Sequence, residues 1–108
     1  MYKVLLDENL PVKMRYRLQG ACEIYTVKEK GWNALENGDL MNAMQADGFD
    51  YLITSDKNLQ YQQNPEKYSI GIIVLKTVDN TYESILPLTD KIKEILQKNE
   101  KVKLAVIF

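Results

Sequence analysis

Short apolar runs alternating with helix-patterned segments constrain this chain more than any other feature. Val4-Leu5-Leu6 is a continuous apolar run of the kind buried on both faces of a parallel sheet. Glu23-Ile24-Tyr25-Thr26-Val27 alternates and is β-branched, and Tyr51-Leu52-Ile53-Thr54 is a third run. Ile70-Gly71-Ile72-Ile73-Val74-Leu75 is the strongest, and Val102-Lys103-Leu104-Ala105-Val106-Ile107 is the last. Between them, Leu10, Met14 and Leu18 repeat every four residues, with Pro11 near the start, Asn9 as a cap and Gly20 just past the end. Leu40, Met41 and Met44 form a second stripe that stops near Gly48. Ile85, Leu88, Ile92, Ile95 and Leu96 step through a third helix. Pro87 fits only its first turn, so its regular part is expected to begin near Ser84. The alternation predicts an α/β fold with a mainly parallel sheet of about five strands and helices on both faces. With 108 residues and no linker or repeat, residues 1–108 are expected to form a single domain.

Composition removes whole classes of chemistry. There is no histidine, which excludes Ser-His-Asp and Cys-His catalysis and any His-ligated zinc site. One cysteine, Cys22, forms no internal disulfide and reads as core, which suits a reduced cytoplasm. The net charge of -1 gives no overall field for nucleic acid or an anionic membrane, so any such contact is local. No apolar run reaches the roughly 18 residues of a membrane span. Acid–base or metal chemistry must therefore use carboxylates.

In parallel sheets, ligands bind beyond the carboxyl ends of the strands, where strand order reverses. Asp7, Glu8 and Asn9 follow the first strand, and Ser55, Asp56, Lys57 and Asn58 follow the third. Asp39 sits at the start of the second helix, and Asp79 lies beyond the fourth strand. If the first and third strands are neighbours, Asp7 and Asp56 converge. Oxygen ligands of this type suit Mg²⁺ or Mn²⁺, and a divalent ion relieves the repulsion between them. The chemistry that follows is attack of a metal-activated water on a phosphodiester. Each acid also has a plainer role. Asp39 complements a helix dipole, Asp7-Glu8-Asn9 opens a helix, and Asp56 caps a turn.

These residues resemble a known family. Leu5-Leu6-Asp7-Glu8-Asn9-Leu10-Pro11 looks like the opening of an uncharacterised PIN-like family related to VapC-type toxins. Leu52-Ile53-Thr54-Ser55-Asp56-Lys57-Asn58-Leu59 resembles its strand followed by Thr-x-Asp. Lys30-Gly31-Trp32, Asn37-Gly38-Asp39-Leu40, Tyr61-Gln62-Gln63-Asn64 and Gly71-Ile72-Ile73-Val74-Leu75 fit in order, so the resemblance runs from Lys3 to about Lys76. It implies a PIN-like three-layer α/β/α domain and an Mg²⁺- or Mn²⁺-dependent endoribonuclease. The implied setting is a toxin–antitoxin pair whose small antitoxin protein blocks the site, and a homodimer. Asp7, Asp39 and Asp56 match the metal-holding acids, with Glu8 and Asn9 beside them. Asn58 departs from the pattern, because many relatives carry a second carboxylate there; its carbonyl offers a cation an oxygen without the charge.

Lys57, Lys13 and Arg17 are candidates for RNA phosphates, Tyr61 for stacking on a base, and Gln62 for reading its edge. The plainer readings are a solvated helix face for Lys13 and Arg17 and a packed Tyr61. Trp32 reads as a lid on the core. Beside the nuclease stand two other readings. One is a catalytically degenerate PIN-like module that binds RNA or a protein partner, which Asn58 favours. The other is a phosphoacceptor receiver domain, which also places acids after its first and third strands.

Overall fold

The computed structural model describes residues 1–56 and 68–108. The elements run β1 (Lys3–Leu6), α1 (Met14–Leu18), β2 (Glu23–Thr26), α2 (Asn37–Ala46), β3 (Tyr51–Thr54), β4 (Gly71–Leu75), α3 (Tyr82–Ile85), a 3₁₀ turn (Leu86–Leu88), α4 (Thr89–Leu96) and β5 (Leu104–Ile107). The strands form one sheet in the order β2-β1-β3-β4-β5, every pair parallel. The apolar runs are the interior strands: every residue of β3 and β4 is buried, while β2 and β5 lie at the edges and are partly exposed. Side chains alternate along the strands between two apolar clusters. Val4, Leu6, Ile53 and Ile73 join Met14, Leu18, Ile92 and Leu96 of α1 and α4. Leu5, Leu52, Ile72 and Val74 join Leu40, Met41 and Met44 of α2.

Three expected boundaries move, each for a local reason. The first helix starts at Met14, not near Pro11. Ahead of it, Met14, Arg15 and Tyr16 bond back to Pro11, Val12 and Lys13, the three-residue spacing of a 3₁₀ turn. Lys13, not Asn9, therefore occupies the N-cap position, and it supplies no side-chain cap. The third helix breaks in two. Pro87 has no N–H to donate and its ring crowds the preceding turn, so the chain tightens to 3₁₀ over Leu86–Leu88 before α4 resumes. Its apolar stripe survives the break, since Ile85, Leu88, Ile92 and Leu96 all lie in one cluster. The last strand starts at Leu104, because the Val102 amide donates to the Tyr51 hydroxyl (2.9 Å) instead of to a neighbouring strand.

Tyr51 also explains Gly71, its register partner on β4. A Cβ on Gly71 would come within 2.4 Å of the Val102 carbonyl oxygen and 2.5 Å of the Tyr51 ring. Only glycine lets the ring lie across the strand and reach Val102. The Tyr2 ring meets Tyr51 edge-on at 5.2 Å and closes this end of the core.

Candidate functional site

β1 is the switch point of the sheet, with β2 on one side and β3 on the other. Its carboxyl end is the expected place for a ligand. Asp7 stands there, fixed by three uncharged groups. Its amide donates to the Ile53 carbonyl (3.0 Å), which extends the ladder one residue past β1. The Thr54 hydroxyl donates to its Oδ2 (2.6 Å), and the Glu8 amide donates to its Oδ1 (2.8 Å). Thr54 is fully buried, and its Oγ1 also accepts the amide of Asp56 (3.0 Å). One threonine thus ties the two acids expected to converge. Sequence spacing points to Asp7 and Asp56 but not to this link, which depends on the β1–β3 register.

The other candidates fall elsewhere. Glu8 and Asn9 are exposed in the turn closed by the Leu10 amide on the Asp7 carbonyl (3.1 Å). Asp39 lies exposed in the first turn of α2, which begins on the carboxyl side of the sheet. Among the described residues, no group of three or more acidic or thiol ligands stands close enough to hold an ion, so Asp7, Asp39 and Asp56 are not gathered as a three-ligand set. Lys57, Asn58, Tyr61 and Gln62 lie outside the described residues. Lys13 is exposed at the N-cap of α1, whereas Arg17 donates its Nε–H to the Tyr82 hydroxyl (2.8 Å) and joins α1 to α3. Asp79 is occupied as a turn acceptor. Its Oδ1 takes the Thr81 amide (3.0 Å) and hydroxyl (2.6 Å), and hydrogen bonds from Ser84 and Thr81 hold its carboxyl below the ordinary range. Cys22 is buried, and burial raises its thiol to about 11, so it is no nucleophile at neutral pH.

Asp7 also borders a cavity of about 330 Å³ on its other side, between the ends of β1 and β2. The wall is a single turn built by residues that spacing alone identifies. The Thr26 amide donates to Glu29 Oε1 (2.7 Å) and the Glu29 amide to Thr26 Oγ1 (3.1 Å), a reciprocal Thr-x-x-Glu box. Gly31, at φ 74°, closes the turn. Its amide bonds to Lys28 (3.0 Å) and that of Trp32 to Val27 (3.0 Å), the paired bonds of a left-handed helix stop. Trp32 then packs on Phe49 (5.7 Å between ring centres), as expected of a lid on the core. Val12, Lys28 and Asn33 line the cavity and carry no sequence signal, because the packing of β1 on β2 is what brings them together.

Asp7 offers oxygen donors of the type that Mg²⁺ and Mn²⁺ take. Hard oxygen ligands are present, and these ions commonly take one or two protein carboxylates, with water and phosphate completing the shell. Asp7 is held in a single orientation by neutral donors, so its charge is positioned without being cancelled. Among the described residues, no helix is long and apolar enough to cross a membrane. No family model, curated protein or solved structure matches this chain.

Proposed function

We propose that the chain is a PIN-like three-layer α/β/α domain acting as an Mg²⁺- or Mn²⁺-dependent endoribonuclease, the toxin of a toxin–antitoxin pair. The observation that carries this reading is the Thr54 hydroxyl, bonded at once to the Asp7 carboxylate and the Asp56 amide at the switch point. When bound, the ion supplies an activated water and neutralises charge on the phosphoryl oxygens. Asp7, Asp39 and Asp56 would hold it, directly or through water. Thr54 holds Asp7 to one rotamer and sets the backbone of Asp56. Lys13, exposed at the N-cap of α1, offers a phosphate contact. The test is cleavage of single-stranded RNA with Mg²⁺ or Mn²⁺ by wild type, Asp7→Asn and Asp56→Asn. Wild type cuts and both variants lose cutting; an Asp7→Asn variant that cuts at the wild-type rate ends the proposal.

A catalytically degenerate module that binds RNA or a protein partner is the second reading. It draws support from Asn58 and from the missing three-ligand group among the described residues. Tight RNA or partner binding without metal, and no cleavage of any RNA, separates it from the first.

A further inference from the structure

The cavity beside Asp7 has a composition the metal chemistry does not need. Its floor is apolar, formed by Leu6, Leu10 and Val27, and Val12 stands half-exposed at its mouth. Its polar lining is Asp7, Glu8, Thr26, Lys28 and Asn33. Its volume of about 330 Å³ falls in the range of small-ligand sites. The reciprocal Thr26–Glu29 box and the Trp32 packing hold its wall in place, so it is formed before any ligand arrives.

We propose that this cavity seats one unpaired nucleobase of an RNA strand, and that it prefers an amine-bearing base, cytosine, adenine or guanine, over uracil. The flat base lies on the aliphatic floor, as extruded bases do between apolar side chains. The carboxylates of Asp7 and Glu8 accept from the exocyclic amine, the pairing by which acids recognise cytosine. Uracil turns a carbonyl oxygen toward the same carboxylates, which repels it. Lys28 faces the sugar–phosphate backbone as the strand leaves. The proposal rests on the nuclease reading for the strand that delivers the base, but the seating itself requires no ion.

The test uses the intact chain without metal, followed by methyl NMR. Cytidine and uridine are the first probes, because they carry the base without a phosphate. Saturable shifts are expected at the Leu10, Val12 and Val27 methyls, with cytidine about tenfold tighter than uridine. Glu8→Ala, at an exposed position, is expected to shrink that ratio toward one. Val12→Lys, at the half-exposed mouth, puts an ammonium in competition for the Asp7 and Glu8 carboxylates and is expected to abolish the shifts at Leu10 and Val27 while the circular dichroism spectrum stays unchanged. Absence of saturable shifts, or equal affinity for the two nucleosides, overturns the pocket assignment. Pentacytidylate is expected to bind more tightly than cytidine; equal affinity overturns the assignment to an RNA strand. Failure of Mn²⁺ binding or of RNA cleavage would remove the nuclease reading and leave these metal-free titrations untouched, so the two failures are distinguishable.

Discussion

Two regions of this small sheet hold aspartates in opposite ways. Where β1 begins and α2 ends, Asp47 is met by lysines: Lys30 Nζ lies 2.7 Å from Oδ2 and Lys3 Nζ 3.6 Å from Oδ1. Both ammonium groups also sit over aromatic faces, Lys3 over Phe49 at 4.7 Å and Lys30 over Trp32 at 5.3 Å. Asp50 nearby accepts the Lys3 amide (2.8 Å) and faces Lys101 Nζ (3.7 Å). At the other end of β1, Asp7 is met by a hydroxyl and an amide, and among the described residues no ion pair reaches it. The first arrangement cancels charge and fastens α2 to the sheet. The second orients charge and leaves it for something else to neutralise. Residue type alone does not separate a structural aspartate from a functional one; the chemistry of the donors around it does.

The largest effect is expected where neither region is touched. Gly71→Ala forces a Cβ into the Val102 carbonyl and the Tyr51 ring, an overpacking that costs about 1–3 kcal/mol or more, read as a fall in the urea midpoint. Thr54→Val comes next. It keeps the shape but removes the hydroxyl that donates to Asp7 Oδ2 and accepts from the Asp56 amide, a loss of about 1–3 kcal/mol in the same measurement. It should also weaken Mn²⁺ binding, a readout that damage confined to the core would not give. Asp47→Asn should lower stability less than Thr54→Val, because the Asp47 and lysine side chains stay partly exposed to solvent, and raised salt should shrink the difference. A larger loss for Asp47→Asn than for Thr54→Val would collapse the comparison.

The smallest effect is a pH dependence. The hydrogen bond from Lys30, helped by the charge of Lys3, holds Asp47 below its ordinary value. A carboxyl lowered in the folded state contributes stability that is fully present above the unfolded value of about 3.9 and disappears as pH falls through the folded one. Urea midpoints should therefore decline on acidification below about pH 4, and Asp47→Asn should flatten part of that decline. A remaining slope is expected from Asp79, which is lowered by Ser84 and Thr81 and shifts in the same direction. An unchanged slope in Asp47→Asn would show that the lysine clasp does not form in solution.

Much of the fold was legible because the decisive signals are local. The continuous runs of β1, β3 and β4 announced buried parallel strands, and the stripes of Met14/Leu18 and Met41/Met44 announced covering helices. Legibility failed where local signals compete. Leu10 lies on the helical stripe, but the Asp7–Leu10 turn holds it outside the helix. Pro87 reads as a helix start, yet a short helix precedes it and ends there. In the site, the positions of Asp7 and Asp56 followed from strand ends, while the Thr54 link depends on Leu6 pairing with Ile53 across forty-odd residues of chain. The lysine clasp gave no signal at all, since Lys3, Lys30 and Asp47 meet only after the sheet has formed.

The most direct test of the contrast between neutralised and oriented acids is calorimetric titration of Mn²⁺ into wild type, Asp7→Asn and Asp47→Asn. Wild type and Asp47→Asn should bind saturably with similar affinity, and Asp7→Asn should not bind. Absence of binding in wild type up to millimolar Mn²⁺, or equal binding in Asp7→Asn, would contradict the account.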